Sequence, residues 1–351
     1  MNFDGNLDGK PTMRAPKIKD VARLAGVSTA TVSRALNRPD TVAESTRKAV
    51  VEAAVRTGYR INLAARNLRR QRTGAVVVLV PNLGNPFFSE ILSGIEVTLA
   101  AAGLSVLVAD TKHSAVPAGL VFDYLHRGRA DGIISLDGAL PEIISAFPQA
   151  EGALPPIIYA CEWNDTVPMP SIRADNIAGA SMAVSHLVEL GHTRIGHIRG
   201  PADNILTQVR SAETRDAIIG HGLAVRPDWF FDGDFSLASG RRVAEQWLAL
   251  DDRPTGVFCS SDEMALGFIS GLHESGVKVP EDVSVVGFDD IEIARHFIPT
   301  LTTIRQPRTE LGVAAGRLLI RLVEGSSTVL SDYREMIPVE LVVRGSTGAP
   351  R

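Results

Sequence analysis

The sequence has few of the features that mark a membrane, secreted or disulfide-bonded protein. No apolar run approaches the ~20 residues that a membrane-spanning helix needs. Residues 1–13 contain acidic side chains and no apolar segment, unlike a secretory signal. Only two cysteines occur, Cys161 and Cys259, and each ends an apolar run, as a buried and reduced strand residue does. We therefore expect a cytoplasmic protein with no disulfide and no membrane partner.

Signatures of the common enzyme and cofactor classes are also missing. The chain has no Gly-Lys-Ser/Thr phosphate loop, no G-x-G-x-x-G and no G-x-S-x-G sequence. Its eight histidines are scattered without the spacing of metal ligands. Asp289 and Asp290 resemble a catalytic carboxylate pair, but no nucleophile accompanies them, and ligand binding is the simpler interpretation. We expect no catalytic residue, no metal site and no cofactor.

The net charge of −4 hides an asymmetry along the chain. Residues 14–72 carry 14 lysines and arginines against 4 acidic residues, whereas residues 73–351 carry 21 against 34. A basic module on an acidic body is typical of a protein that binds nucleic acid through the basic part alone. At 351 residues, the chain is long enough for two or three domains.

The basic part contains two short helical patterns joined by a glycine turn, DVARLAGVSTATVSRALN at residues 20–37. Gly26 can adopt the left-handed conformation that ends a helix, and Ser28 suits the cap of the next helix. This pattern is typical of a helix-turn-helix, whose second helix enters the major groove, although an ordinary helical hairpin is the alternative. The exposed positions of the second helix are small or hydroxylated apart from Arg34, so this helix can lie close to base edges.

The residues that follow favour the DNA-binding interpretation. A third helix is predicted over residues 43–57, and a short basic segment with one exposed leucine follows at residues 62–70. Together with the helix-turn-helix, the sequences TR-x5-AA at 46–54, GY at 58–59 and ARNLRR at 65–70 resemble the headpiece and hinge of the lactose/galactose-repressor family of bacterial transcription regulators. One departure is Ile61, where the family has a proline.

The resemblance implies which residues contact operator DNA, with Leu68 of a hinge helix inserting into the minor groove. They are Ser28, Thr29, Ala30, Thr31, Ser33, Arg34, Asn37 and Thr41 in the headpiece, and Asn62, Ala65, Leu68 and Arg69 in the hinge.

From residue 74 onward, predicted strands and helices alternate, which indicates doubly wound α/β lobes with parallel sheets. The first set has strands 75–80, 104–110, 131–136 and 156–160 with helices 86–102, 116–127 and 141–147. The second has strands 171–175, 194–198, 229–235, 256–260 and 283–290 with helices 177–190, 206–221, 238–250 and 262–275. A helix over 307–323 and a strand over 338–347 end the chain.

The same family resemblance covers this part, through NPFFSEILSGIE, GDFSLASG, VFCSSDEMALG, VPEDVSVVGFDD, LTTIRQPRTELG and ELVVRGST. It implies two lobes of periplasmic-binding-protein type. After a leader 1–16 that its composition predicts to be disordered, the implied domains are a headpiece 17–60, a hinge helix 61–73 and an effector-binding and dimerisation domain 74–351. Lobe one would span 74–174 plus 305–335, and lobe two 176–302 plus 338–347.

Ligands of doubly wound sheets bind at the carboxyl ends of strands. Aromatic residues make up only 5% of the chain, yet several fall at strand ends, which favours a flat, hydroxyl-rich ligand. The resemblance implies that Arg210 and Asp289 bind effector hydroxyls and that aromatic side chains enclose its ring. After Arg210, Glu213 and Thr214 depart from the family pattern of glycine and an aromatic residue. The predicted effector-binding residues are Phe87, Phe88, Asp110, Trp163, Asp175, Arg210, Phe235, Asp262 and Asp289.

These observations predict a dimeric, sequence-specific DNA-binding repressor whose operator affinity is controlled by a small molecule. The aromatic residues, and a closer resemblance to a nucleoside-responsive member of the family, favour a nucleoside. A sugar-responsive repressor of the same family is the main alternative. A periplasmic-type solute receptor would explain the two lobes but not the headpiece.

Overall fold

The computed structural model describes residues 16–37, 39–59, 72–111, 130–138, 156–325 and 332–351. They belong to two compact units, which divide between Gln71 and Arg72. None of the helices within these ranges is long and apolar enough to cross a membrane. The predicted helices 116–127 and 141–147 and the predicted hinge residues Asn62, Ala65, Leu68 and Arg69 lie outside the described residues.

The first unit, called the headpiece here, contains three α-helices between residues 16 and 59. They are α1 (Ile18–Ala25), α2 (Thr29–Asn37) and α3 (Glu44–Thr57), with a short 3-10 turn at Pro39–Thr41 between the last two. Gly26 ends α1 with a φ of 68°, a conformation that glycine adopts without steric cost. The small core is formed by Val21, Ala22, Val32, Ala35, Val50 and Ala53, with Tyr59 packed against it. The predicted helix-turn-helix and third helix are therefore present.

In the second unit, residues 72–351, the described residues form two sheets of six strands each, and each sheet forms the centre of one lobe. In lobe one all strand pairs are parallel in the order β11-β5-β4-β3-β1-β2. Its strands are β1 (Ala75–Val80), β2 (Ser105–Asp110), β3 (Gly132–Ser135), β4 (Ile157–Ala160), β5 (Ser171–Ala174) and β11 (Arg334–Ile337).

Lobe two has the equivalent order β12-β10-β9-β8-β6-β7, with β12 antiparallel to β10 and the other pairs parallel. Its strands are β6 (Ile195–Arg199), β7 (Phe230–Asp232), β8 (Gly256–Cys259), β9 (Ser284–Asp289), β10 (Thr302–Arg305) and β12 (Glu340–Val342). The α-helices within the described ranges of this unit are α4 (Phe87–Ala101), α5 (Asn176–Glu189), α6 (Ile205–Gly220), α7 (Leu237–Leu248), α8 (Asp262–Glu274) and α9 (Arg308–Val323). The predicted fold class, a helical headpiece followed by two doubly wound lobes, is confirmed.

The chain passes between the two sheets three times, after β5, after β10 and after β11. The sequence pattern predicts a single strand over 338–347, whereas the structure has β11 in lobe one and the short β12 in lobe two. The strand β11 escapes prediction because Arg334 and Glu335 are polar and the strand lies at a sheet edge, where no continuous apolar run is needed.

Helices α4 and α9 of lobe one lie in backbone contact. A Cβ atom added to Gly94 would lie 2.3 Å from the carbonyl oxygen of Thr309, and one added to Gly312 would lie 2.1 Å from that of Ile91. Only glycine permits this approach, because any side chain would push the helices apart. The contact brings the first turns of the two helices, which begin at Phe87 and Arg308, next to each other.

Candidate functional sites

The second helix of the headpiece, α2, presents one face to solvent. Thr29, Ala30 and Arg34 are exposed, and Ser33 lies half-buried beside them on the same face. Ser28 caps the helix, since its hydroxyl accepts a hydrogen bond from the backbone N–H of Thr31 at 3.1 Å. Thr31 is half-buried and Thr41 is exposed, while the side chain of Asn37 lies outside the described part of the chain.

The two lobes enclose a cavity at the carboxyl ends of their strands, called the interlobe cavity here. It holds about 340 Å³ of empty space, part of which opens to solvent. Lobe one contributes Asn85, Phe87, Phe88, Cys161 and Glu162, and lobe two contributes Leu206, Arg210, Phe235, Ser261 and Asp289. The structure therefore brings five of the predicted effector-binding residues together: Phe87, Phe88, Arg210, Phe235 and Asp289.

Arg210 is the most constrained polar residue of the interlobe cavity. Its side chain is only 2% exposed, and its guanidinium carbon lies 3.7 Å from the centre of the Phe288 ring. Its Nε donates to Asn176 at 2.9 Å, and its Nη1 donates to the carbonyl oxygen of Ser260 at 2.6 Å. Burial lowers the pKa of Arg210, and the negative charge of Asp289 opposes this effect. The guanidinium plane is thus fixed from three sides.

The departure at Glu213 and Thr214 leaves the helix that carries Arg210 intact. Helix α6 runs without interruption, and the hydroxyl of the buried Thr214 donates to the carbonyl oxygen of Arg210 at 2.6 Å. Threonine satisfies its hydroxyl inside the helix in this way, so the position needs no partner from the cavity.

Asp289 lies at the end of β9, close to Arg210 in the lobe-two part of the cavity lining. Its Oδ1 accepts a hydrogen bond from Gln306 at 2.7 Å. Burial raises the pKa of Asp289 to about 6, although the nearby charge of Arg210 lowers it. A carboxylate fixed beside a guanidinium can accept hydrogen bonds from the hydroxyl groups of a ligand while the guanidinium donates to them.

The backbone is strained at three residues of the interlobe cavity. Among the described residues, the non-glycine positions with positive φ are Cys161 (77°), Phe235 (64°), Asp289 (125°) and Asp290 (54°), and the first three line the cavity. Such conformations cost ~1–3 kcal/mol each and persist only where the surrounding structure imposes them, often at ligand sites. Their concentration here supports a functional role for the cavity.

Aromatic rings form the apolar walls. Phe87 and Phe88 pack edge to face, with ring centroids 5.1 Å apart and planes at 77°. Phe235 lies against Gly200, where an added Cβ would come within 2.2 Å of the phenylalanine Cζ. Rings held in this way offer flat surfaces to a ligand ring.

Glu162 is a buried carboxyl group that links the two lobes. It follows β4 in lobe one, and its Oε1 accepts a hydrogen bond from Asn204 of lobe two at 2.9 Å. Its Oε2 accepts the backbone N–H of Gly138 at 3.1 Å. Burial raises the pKa of Glu162 to about 7, because these hydrogen bonds offset only part of the lost hydration. Asn204 in turn caps α6, the helix of Arg210.

Four predicted effector-binding residues do not line the interlobe cavity. Each of these side chains instead contacts another protein group of its own lobe. The Trp163 ring packs under the Arg173 guanidinium, 4.0 Å from the ring centre, and Asp110 accepts the backbone N–H of Leu83 at 3.0 Å. Asp175 caps α5, and the fully buried Asp262 accepts hydrogen bonds from Thr303 and from the backbone of Ile291.

Cys161 and Leu206 line the interlobe cavity but are not among the residues predicted from the sequence to bind the effector. Cys161 ends an apolar strand, and this alone indicates burial rather than contact with a ligand. Leu206 could have been found by helical spacing, because it lies one turn before Arg210 in α6. Among the described residues, no group of three or more histidine, cysteine, aspartate or glutamate side chains could hold a metal ion.

Two family models match the chain. The model described as bacterial regulatory proteins, lacI family, matches residues 17–62, which include the headpiece helices. The model described as a periplasmic binding protein-like domain matches residues 184–347, which include most of lobe two.

Curated relatives and solved structures cover nearly the whole chain. The HTH-type transcriptional repressor CytR of Escherichia coli strain K12 is 39% identical over 343 residues, covering 98% of this chain and 99% of the relative. PurR of Photobacterium profundum is 35% identical over 94% of this chain and 98% of its own length. The lac repressor dimer, solved bound to operator and the anti-inducer ONPF, is 30% identical with a TM-score of 0.78, covering 96% of this chain and all of that chain. The CelR–cellobiose complex is 31% identical with a TM-score of 0.71, covering 94% of this chain and 99% of that chain.

Proposed function

Since the chain belongs to the lacI family of bacterial regulatory proteins, we propose that it is a dimeric transcriptional repressor that a nucleoside releases from operator DNA. The headpiece binds the operator, and the interlobe cavity binds the effector. A dimer matches a palindromic operator, since each headpiece reads one half-site.

The charge and geometry of the headpiece support DNA binding. Its exposed α2 face carries small side chains and Arg34, which can reach a guanine in the major groove. The basic charge of residues 14–72 suits phosphate contacts, and the family resemblance assigns Asn62, Ala65, Leu68 and Arg69 to contacts with operator DNA, with Leu68 in the minor groove. The related lac repressor was solved as a dimer on its operator.

The observation that carries the effector assignment is the composition of the interlobe cavity. It combines the rings of Phe87, Phe88 and Phe235 with the charged pair Arg210 and Asp289. A nucleoside matches both parts, because its base stacks on aromatic rings and its vicinal ribose hydroxyls suit a guanidinium and a carboxylate. The motifs of the two-lobe unit also resemble those of the cytidine repressor of this family.

A sugar effector is the second candidate. Related structures contain cellobiose or ribose, and the pair Arg210 and Asp289 suits any vicinal diol. A hexose makes less use of three aromatic rings than a nucleoside does. A periplasmic-type solute receptor is disfavoured by the lacI-family headpiece.

The effector acts by favouring one arrangement of the lobes. A ligand shifts such an equilibrium only through its different affinity for the two states, with a typical coupling of ~1–3 kcal/mol. The two protomers then present their headpieces at a different spacing, and operator affinity falls. We further propose that the protein acts in the cytoplasm, where its DNA lies, and has no catalytic activity or cofactor.

Calorimetry on the full chain, with cytidine, adenosine, glucose and ribose as separate ligands, tests the effector class. We expect a nucleoside to bind at micromolar concentration and to weaken operator binding in a fluorescence anisotropy assay. At ~100 times its dissociation constant, a ligand selective for the folded state raises the free energy of unfolding by ~2.7 kcal/mol, which thermal shift detects. Tight binding of a sugar with none of either nucleoside would reject the nucleoside and leave the repressor assignment in place.

A further inference from the structure

Arg308 lies where the chain returns from lobe two to lobe one. It is the first residue of α9 and is only 4% exposed. It does not line the interlobe cavity, so it has no direct contact with a ligand there. Its guanidinium group nevertheless reaches both lobes.

Towards lobe one, Arg308 contacts the segment that begins α4. Its Nη1 lies 3.4 Å from the carbonyl oxygens of both Pro86 and Phe87, and its Nη2 donates to the Glu90 carboxylate at 2.9 Å. Phe87 is itself a wall of the interlobe cavity. The arginine therefore holds the backbone of one cavity wall.

Towards lobe two, the same Nη2 donates to the carbonyl oxygen of Asp290 at 3.1 Å. The Asp290 carboxylate is fixed within lobe two, because Arg305 donates to it at 2.6 Å and Arg344 at 2.5 Å. The residue before it, Asp289, lines the interlobe cavity. One guanidinium group therefore joins the end of β9 to the start of α4.

We propose that Arg308 is a positioning residue that couples the Phe87 wall of lobe one to the Asp289 wall of lobe two, so that effector binding and lobe arrangement respond together. This inference rests on the proposed effector function of the interlobe cavity. When the lobes rotate apart, Arg308 cannot keep its hydrogen bonds to both lobes. It must lose either the one to Asp290 or those to the start of α4. Arg308 thus stabilises the arrangement in which both walls face the same ligand.

The second hydrogen bond that crosses the cavity region, between Asn204 and Glu162, cannot isolate this effect. Glu162 lines the cavity, so a substitution there changes ligand contact and lobe arrangement at once. Arg308 binds the backbone of both walls and the Glu90 carboxylate from outside the cavity lining, so its substitution changes no side chain that lines the cavity. Its positive charge also acts on Asp289, and Arg308→Lys keeps that charge.

Replacement of Arg308 by methionine should leave the fold intact. Its Nε is buried without a hydrogen-bond partner among the described residues. A buried polar nitrogen without a partner destabilises the folded state, and methionine removes that nitrogen while filling the space. The Glu90 carboxylate that loses its partner is 48% exposed, so water can solvate it.

Arg305→Met is a matched control. Arg305 also binds Asp290, but its other partner is Glu340, and all three residues belong to lobe two. Both variants therefore remove an arginine that donates a hydrogen bond to Asp290, Arg305 to its carboxylate and Arg308 to its backbone carbonyl. Only Arg308→Met removes a connection between the lobes. Arg308→Lys keeps the positive charge but has one donor nitrogen where Nη1 and Nη2 of the arginine bind. This variant should therefore retain part of the coupling that Arg308→Met loses.

The experiment is hydrogen-exchange mass spectrometry on the full chain, combined with calorimetry using cytidine. We expect Arg308→Met to raise exchange in the first turn of α4 and at the end of β9, without change in α7 or β6. We also expect it to weaken cytidine binding about tenfold, equivalent to ~1.4 kcal/mol. Arg305→Met should change neither readout by more than about twofold, well short of the tenfold change that ~1.4 kcal/mol represents.

Equal effects of the two variants, or faster exchange throughout the two-lobe unit, would overturn the proposal. If the wild-type protein binds no nucleoside, the nucleoside assignment fails, but the exchange pattern still decides the role of Arg308. A local increase confined to Arg308→Met would then support the coupling, and its absence would reject it.

Discussion

The headpiece and the interlobe cavity place their polar residues in opposite environments. Thr29 and Arg34 lie exposed on α2, on the side away from the headpiece core, which consists of small apolar side chains. Arg210 and Asp289, in contrast, are 2% and 7% exposed and are held by other buried groups. An exposed site can change without loss of the fold, whereas a buried polar site serves stability and binding together. Substitutions in the two sites test this difference.

Arg210→Ala should reduce the stability of the two-lobe unit and abolish its response to effector. The change leaves the Asp289 carboxylate buried without its cation, and removing one partner of such a pair costs about 3–5 kcal/mol. Urea unfolding measures the loss. Arg215→Ala is the control, because Arg215 is half-buried in the same helix and lies over the Phe230 ring, outside the cavity. A fully stable Arg210→Ala protein would contradict the dual role.

Arg34→Ala should lower specific operator binding by ~1–3 kcal/mol, the usual discrimination of an arginine–guanine contact. Its effect on the free energy of unfolding should stay within ~0.5 kcal/mol, because the side chain is exposed. Fluorescence anisotropy with operator and scrambled duplexes separates the two kinds of binding. Arg23→Ala, on the exposed side of α1, serves as a control for charge. Equal losses on both duplexes would mean that Arg34 contacts only phosphate.

Glu162→Gln should make stability less dependent on pH. The pKa of Glu162 rises from its ordinary 4.5 to about 7 on folding. The unfolded chain therefore loses the proton first, and the free energy of unfolding of the wild type falls as the pH rises from 4.5 to 7. Glutamine removes this fall, which is on the order of 3 kcal/mol because the pKa difference between 4.5 and about 7 is worth ~1.4 kcal/mol for each pKa unit.

Urea unfolding at pH 5 and pH 8 measures the difference between the two proteins. Asp289, whose pKa is raised to about 6, contributes a fall of the same sign in both, so the comparison isolates Glu162. The exposed Glu281→Gln variant should follow the wild type. Parallel profiles for wild type and Glu162→Gln would show that the carboxyl group keeps its hydration.

Ser28→Ala should destabilise α2 by about 1 kcal/mol, the typical loss for removing a helix cap. Hydrogen exchange of α2 amides in the full chain measures this loss. Ser45→Ala, at an exposed position inside α3, should be neutral or slightly stabilising. If the exchange of α2 amides does not change, Ser28 does not stabilise the helix and its role is limited to DNA contact.

The repeating patterns of the sequence predicted the fold class, because buried parallel strands such as β1 are continuous apolar runs. Strand ends also pointed to Phe87, Phe235 and Asp289, which the cavity does bring together. The roles of these residues in effector binding stay predictions, as do the DNA contacts of the headpiece.

Sequence position could not tell which neighbour at a strand end faces the cavity. At the end of β4, the left-handed backbone of Cys161 turns the chain so that Glu162 lines the cavity and Trp163 packs on Arg173. Nothing in an ordinary cysteine predicts a φ of 77°. Asp262 likewise follows a strand, but its carboxylate turns inward to Thr303, a contact 41 residues away that no local pattern shows.

The three passages between lobes also fix when the protein can first respond to its effector during synthesis. The headpiece core is complete at Tyr59, but the lobe-one sheet requires β11, which ends at Ile337. At ~5–20 residues per second, a ribosome needs on the order of 15–60 s for that interval. Until then β5 pairs with β4 on one side only, and its other edge is open to pairing with other chains. A nascent chain therefore carries a finished DNA-binding module before the cavity that controls it exists.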